Sequence, residues 1–455
     1  MSRSSSVRQA RTRATATGER AGRRPDVTRS RTGRTRGKAA VSYTDAAVSP
    51  YAGQRLKDSA LGPYYLVWIS ALVLLAIGLC MILSVSVSKA VTPGGSTFDY
   101  VRDQGITAII GVLLMILISI LDYRRWVRIV SVIALVGGIL FLLAMNIPGV
   151  STEEKGSSSW IILGPISLQP SEFAKLALVM AGAHLLSMRR VVPGDFRSLM
   201  VPFGVVGFGI CGLVLLEPDL GAAVITAGLV LGLLWVAGMK VRHWLPLAGA
   251  GVGVALLFAL TSSVRKARIF SFLDPGADPQ GAGWQLSQAL VALGRGGWFG
   301  VGPGQSVQKF TWLPEAHNDM IFAILGEEFG LLGTGAVILL FVVFALAVWR
   351  LARQCADPLG RYLLAGCGML VMLQAVVNIG GVVGALPITG VPLPFMSLGR
   401  NSLLVMLIAT GLILSVARWA PARPTVASDK GYNNVTYIDR RRRDGGPRRT
   451  RSGVG

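Results

Sequence analysis

Acidic residues are scarce in this sequence, 23 Asp and Glu against 45 Lys and Arg in 455 residues, which leaves a formal charge of +22. Spread over the chain, that excess would suit a nucleic-acid binder. It is confined to the ends instead. Residues 1–63 carry 14 Lys and Arg against 4 acids and residues 418–455 carry 10 against 3, so the tails hold +17 and the body is nearly balanced. This distribution argues against nucleic acid as a partner. Cysteine is also rare: Cys80, Cys211, Cys355 and Cys367 stand singly in apolar or membrane-edge contexts, without the spacing of a disulfide framework or thiolate metal site. Nucleotide motifs are missing too. The glycine-rich stretch 294–302 is not followed by Gly-Lys-Ser/Thr, and Gly249, Gly251 and Gly253 lie in an apolar run where small residues serve helix packing. With no nucleotide site and no Ser/His/Asp constellation, the energy for any reaction must come from the substrate.

Apolar residues are what the chain has in abundance. They make up 52% of it, against 15% charged, which puts it outside the ordinary soluble class. A hydrocarbon core about 30 Å thick needs about 20 apolar residues in helical form. Ten stretches qualify: 64–87, 104–121, 126–147, 172–188, 199–216, 219–238, 244–262, 319–349, 362–386 and 399–417. The expected fold is an all-α polytopic membrane protein, with residues 64–417 as a ten-helix domain between basic, disordered tails at 1–63 and 418–455. The first apolar run is long enough to span and has no small-residue cleavage pattern behind it, so it is read as helix 1 and not as a cleaved signal.

Orientation follows from the positive charges between helices. Arg124, Arg125 and Arg128, then Arg189, Arg190 and Arg197, then Lys240 and Arg242, then Arg350, Arg353 and Arg361 recur after every second span and mark cytoplasmic loops. Both basic tails fall on the same side, where they would also attract anionic lipid. The outward loops are 148–171, the corner at Glu217–Asp219, the large loop 263–318 between helices 7 and 8, and 387–398. Trp284, Trp298 and Trp312 would place the large loop at headgroup level.

Polar side chains collect where these outer loops run into helices. Asp319 stands at the start of helix 8, where the helix dipole keeps a carboxylate ionised; it either caps the helix or serves as a base. Glu315 and His317 beside it make proton handling or cation binding conceivable without defining a metal site. Glu172 and Lys175 share a helical face, as a local ion pair or with Lys175 as a point charge for a diphosphate. Asp219 begins helix 6, and capping explains it equally well. Glu327 and Glu328 lie deeper in helix 8, where charge is costly and must face the protein interior, with Gly326 and Gly330 placed to loosen the helix. The segment 386–397, rich in Pro and Gly, reads as a rigid hairpin or re-entrant turn.

Five motifs in one order carry a family resemblance: Gln169-Pro-Ser-Glu172-Phe-Ala-Lys175; Glu217-Pro-Asp219-Leu-Gly221; Gly283-Trp-Gln285 with Gln288 and Gly294–Gly297; Leu313-Pro-Glu315-Ala-His317-Asn-Asp319; and Asn378 through Pro387, Thr389-Gly390 and Pro392-Leu-Pro-Phe395 to Ser397. The chain resembles the SEDS family over residues 64–417. That resemblance implies a peptidoglycan glycosyltransferase which polymerises lipid II into a growing glycan strand at the outer face of the bacterial cytoplasmic membrane. A class B penicillin-binding protein would supply transpeptidation, and other divisome membrane proteins would be partners. Asp319 would be the catalytic base, with Trp160, Glu172, Lys175, Asp219, Gln285, Gln288, Glu315, His317 and Ser397 binding substrate. A divalent cation, Mg or Mn, or Lys175 would neutralise the diphosphate leaving group. The basic N-terminus and the stretch 304–309 favour the division branch over the elongation branch, and the Arg-rich tails resemble high-GC actinobacterial proteins. A lipid II flippase or a non-catalytic scaffold are the competing classes. The sequence departs from the family at Asn318, Met320 and Leu398–Ser402, and Arg400 would either bind phosphate or anchor at the interface.

Overall fold

The computed structural model describes residues 55–89, 98–145, 152–154, 157–163, 166–217, 219–261, 263–274, 283–310 and 312–423. Helix dominates, because a backbone in lipid can satisfy its polar groups only internally. In chain order the helices are α1 (Leu56–Ser59), α2 (Leu61–Lys89), α3 (Asp99–Ile120), α4 (Tyr123–Ala144), α5 (Pro170–Leu186) and α6 (Phe196–Leu199), which runs through a π-helical turn at Met200–Gly204 into α7 (Val205–Leu216). They continue as α8 (Leu220–Val236), α9 (Val241–Leu260), α10 (Ser263–Leu273), α11 (Trp284–Gly296), α12 (Ile321–Gln354), α13 (Pro358–Val382) and α14 (Arg400–Trp419). Among the described residues eight helices are long and apolar enough to cross a membrane. The expected spans at 172–188 and 219–238 are represented by α5 and α8, each 17 residues. At 1.5 Å per residue these reach about 26 Å, the lower limit for a spanning segment.

Leu113, Val205 and Leu257 are 61%, 66% and 69% exposed, as residues facing lipid should be. The interior is closed by α13 and α14 against α5, α8 and α3. Short side chains permit the tightest approaches. At Gly78 in α2 a Cβ would lie 2.5 Å from the Met396 backbone, so only glycine admits segment 387–398 there. Gly78 is 11 residues before the end of α2, about 16 Å along the helix. The segment is therefore re-entrant.

The all-α character holds, with one small addition inside the expected loop 148–171: a three-stranded antiparallel sheet of β1 (Thr152–Glu154), β2 (Ser157–Leu163) and β3 (Ile166–Leu168). Pro165 and Pro170 bracket β3, and the run Ser157–Leu163 combines polar and β-branched residues that suit a strand better than a helix. The segment 263–318 between the expected helices 7 and 8 contains α10 and α11. Most of the two basic tails lies outside the described residues. The body reaches further than 64–417: the Leu56 amide donates to the Ala420 carbonyl at 2.8 Å, the Arg55 guanidinium lies over the Trp419 ring at 4.7 Å, and Cys355 bridges to Ala422.

Candidate active site

Helix α12 begins at Ile321 with Met320 as N-cap, so Asp319 sits one residue outside it, at the end of the turn 312–320. The residue is only 6% exposed. The Gln285 amide of α11 approaches both carboxylate oxygens, at 3.4 and 3.5 Å. From α13, the Asn378 amide donates to the Asp319 carbonyl and to the Val391 carbonyl, each at 2.7 Å. The residue is thus fixed from three elements: its own turn, α11 and α13. Asp319, Met320 and Asn378 line a small cleft with residues 388–391 of the re-entrant segment.

The same turn positions Glu315 and His317. Glu315 has φ 54°, a left-handed conformation rare for a residue with a side chain. The His317 ring stacks on Tyr100 of α3 with centroids 4.7 Å apart, and its Nε2 lies 3.9 Å from Glu315. The Leu398 amide donates to the His317 carbonyl at 2.9 Å, tying the turn to the end of the re-entrant segment. Ser397 serves that segment's own geometry, since its hydroxyl accepts from the Leu393 amide at 2.7 Å and its carbonyl accepts from Gln104 at 2.9 Å.

Glu172 and Lys175 pair at 2.8 Å with side chains 3% and 1% exposed. Lys175 Nζ also reaches the Gln374 carbonyl oxygen at 3.4 Å, and the Gln374 amide donates to the Pro392 carbonyl and the Ser402 hydroxyl. Gln374 and Asn378 are four apart on one face of α13, so a single helix face links the Lys175 pair, the re-entrant segment and Asp319. In this arrangement Lys175 is an enclosed partner of Glu172 and not a mobile point charge at the surface. Asp219 caps α8 through the Ala222 amide at 2.9 Å and accepts from Gln169 at 3.3 Å. Beside it both Glu217 oxygens are buried without a hydrogen-bond partner, and burial, then the neighbouring Asp219 charge, pushes the carboxyl up to about 8. Gln288 is half-buried on α11. Trp160 lies in β2, paired with Thr152, and its side chain is outside the described residues. Arg400 is exposed at the start of α14.

Sequence reasoning named Asp319, Gln285 and Asn378, which the structure brings together, but left other members of the network unnamed. It gave no role to Gln374 or Gln104, nor to Lys309, whose ammonium meets Glu328 at 3.0 Å with both side chains 1% exposed. The signal was present: a polar residue in an apolar span, as Gln374 is, must find partners inside the bundle.

The breaking of α12 accounts for the placement of that lysine. Gly330 has φ 65° and ψ −161°, which interrupts the helical ladder. The carbonyls of Glu327 and Glu328 then accept from Val301 and Gly302 at 2.9 and 3.1 Å, while the amides of Leu331 and Leu332 donate to Gly297 and Trp298 at 2.9 and 3.2 Å. Segment 297–302 thus supplies four external bonds to the main-chain groups of Glu327, Glu328, Leu331 and Leu332 at the break. A Cβ at Gly330 would meet the Gly300 nitrogen at 2.5 Å. Following this segment, Lys309 donates to Glu328 and Ser84 at 3.0 Å and to the Gly304 carbonyl at 2.7 Å, using all three of its donors. Glu327 accepts from Ser306, from the Val307 and Gln308 amides at 3.1 and 3.3 Å, and from Arg295 at 3.3 Å.

Known proteins share this architecture. Residues 64–421 match the cell cycle protein family model that covers FtsW, RodA and SpoVE. The chain is 41% identical over 351 residues to a probable peptidoglycan glycosyltransferase FtsW of Nitrosococcus halophilus, covering 76% of this chain and 90% of that one. It is 38% identical over 358 residues to stage V sporulation protein E of Bacillus subtilis, covering 79% and 98%. Among solved structures, a chain of a peptidoglycan synthase complex that coordinates polymerization and crosslinking superposes with a TM-score of 0.63 at 26% identity, over 77% of this chain and 96% of that one. A match over most of the body, together with a common fold and a polar cluster at one end of the bundle, places this chain in the FtsW/RodA/SpoVE cell cycle protein family, the SEDS family.

Proposed function

We propose that this protein is a peptidoglycan glycosyltransferase that polymerises lipid II into glycan strands during septal cell-wall synthesis. The observation that carries the reading is Asp319, a carboxylate held between α11, α13 and its own turn beside a cleft, with the Gln285 amide at 3.4 Å. Family membership supplies the reaction class, and the relatives named FtsW support the division role. Ten spans with both termini cytoplasmic complete the reading; they count α5 and α8 as membrane-crossing and rest on the recurrence of basic loops at alternate turns. The site then faces outward.

Asp319 takes the proton of the acceptor GlcNAc 4-hydroxyl as that oxygen attacks the anomeric carbon of the donor MurNAc. A new glycosidic C–O bond forms, the bond to the diphosphate breaks, and undecaprenyl diphosphate leaves with inversion. A positioned general base of this kind contributes about 10²–10⁴-fold in rate. Gln285 orients the carboxylate. Glu315, His317, Gln288, Asp219, Trp160 and Ser397 are proposed to shape the substrate groove, directly or through the re-entrant segment. Lys175 can meet the leaving diphosphate only if its pair with Glu172 opens. Among the described residues no three His, Cys, Asp or Glu side chains converge as a cation cage. A Mg or Mn ion is therefore proposed to arrive with the diphosphate, whose charge it would screen. A class B penicillin-binding protein is the proposed crosslinking partner, in line with the synthase complex whose chain shares this fold. The basic tails are proposed to bind anionic lipid.

The test is polymerisation of purified lipid II by the protein with its cognate penicillin-binding protein, comparing wild type with Asp319→Ala in matched, folded amounts. Glycan chains are expected only with Asp319 intact. Equal polymer from both overturns the catalytic assignment in favour of a scaffold, and lipid II transfer across vesicles without polymer from either supports a flippase.

A further inference from the structure

At the end of the bundle opposite Asp319, a cavity of about 440 Å³ opens between α8, α12 and α13. Its walls are apolar, built from Val236, Val348, Leu364, Met369 and Met372, and its floor carries Arg353, Arg361 and Arg423. Three separate elements supply these arginines: the last turn of α12, the first turn of α13 and the strand-like segment after α14. Among the described residues none of the three is ion-paired to a carboxylate. The Arg361 Nε is buried without a hydrogen-bond partner. Arg353 lies over the Trp349 ring at 4.9 Å, and Arg423 donates from Nε to the Cys355 carbonyl at 3.2 Å. The nearby acid, Asp357, is already engaged by the Tyr123 hydroxyl, the Gly360 amide and Arg124. Three guanidiniums around an apolar slot thus retain unused donors at the level where the membrane meets the basic loops.

We propose that this cavity is a binding site for one anionic glycerophospholipid of the inner leaflet. Its phosphate is held by Arg353, Arg361 and Arg423, and part of an acyl chain lies against Val348, Leu364 and Met372. Guanidinium groups match phosphate oxygens in charge and in fork geometry. Basic pockets between membrane helices on the cytoplasmic side favour such headgroups. The volume lies within the range of about 300–1,000 Å³ usual for small-molecule pockets. A partner's spanning helix of about 20 residues needs a longer groove. Asp319 precedes the first turn of α12 and Arg353 lies in its last turn, so the site is at the other end of the helix from the candidate active site. The proposal shares with the functional reading only the orientation of the bundle, and its test does not use polymerisation.

The full-length protein in phosphatidylcholine nanodiscs is doped with phosphatidylglycerol carrying a photoactivatable acyl chain, and labelled peptides are mapped by mass spectrometry. Labelling should concentrate in 345–353 and 364–372, fall at least fivefold with excess unlabelled phosphatidylglycerol, and resist excess phosphatidylcholine. Arg353→Ala/Arg361→Ala/Arg423→Ala should reduce it at least fivefold at an unchanged melting temperature, and Ala365→Trp should do so with the arginines intact. If the variants do not fold, the competition arm in the wild type decides. Equal labelling by a phosphatidylcholine probe, labelling spread over all lipid-facing helices, or loss on removing residues 1–54 and 424–455 overturns the proposal. Displacement by undecaprenyl phosphate at tenfold lower concentration overturns it in favour of an isoprenoid carrier site.

Discussion

Two regions near the start of α12 place buried carboxylates in different settings. Glu327 and Glu328 are fully enclosed and neutralised, Glu328 by Lys309 and Glu327 by Arg295, Ser306 and two main-chain amides. Eight residues earlier, Asp319 meets the neutral amide of Gln285 and lines a cleft. The first arrangement spends its charge on joining a loop to a broken helix. The second places a carboxylate on the wall of a cleft, within reach of a bound molecule. Burial alone therefore does not mark a candidate site; an opening beside the buried group does.

Substitutions can break or sharpen this contrast. The largest effect is expected at Asp319, where Asp319→Asn should lower lipid II polymerisation by about 10²–10⁴-fold with the unfolding temperature unchanged; a large drop in that temperature would put Asp319 in the structural group. Next comes Lys309→Met, which strands Glu328 in the interior and should cost about 3–5 kcal/mol, measured by thermal unfolding in detergent. Adding Glu328→Leu should recover most of the loss, and failure to recover would show that Lys309 does more than neutralise. Gly330→Ala forces a side chain into a left-handed backbone against the Gly300 nitrogen. It should cost about 1–3 kcal/mol, and detachment of segment 297–302 should appear as faster amide exchange at Leu331 and Leu332.

Glu217 supplies a pH test. Its carboxyl is raised to about 8 in the folded protein from a usual value of 4.5. The folded state then holds a proton that the unfolded chain has released, so stability should decline as pH rises from about 4.5 to 8 and level off above. Glu217→Gln should flatten that slope in unfolding temperatures taken across the range; an unaltered slope would assign it to other groups. The smallest effect is expected for Arg295→Ala, because its side chain is 46% exposed and Glu327 keeps three other donors. A loss below about 1 kcal/mol in the same unfolding assay is anticipated.

Much of this organisation is legible in the chain itself. Runs of about twenty apolar residues have one low-energy form in lipid, the helix, so the apolar helices follow from composition, and the alternating basic loops carry the proposed orientation. Local signals also located the turn before α12, the kink at Gly330, the i, i+3 pair of Glu172 and Lys175 and the cap at Asp219. They did not locate the strands β1–β3, whose pairing depends on neighbouring strands, nor α10 and α11, whose mixed polarity hid their helical period. Which side chains meet the buried carboxylates was decided only by tertiary structure. Lys309 meets Glu328 across 19 residues, Ser84 joins them from α2, and Gln374 reaches Lys175 across 199. Side-chain period fixes which way a residue faces on its own helix, but partners so far apart are chosen by how the helices pack and where the backbone breaks, and that choice separates a buried lock from a candidate base.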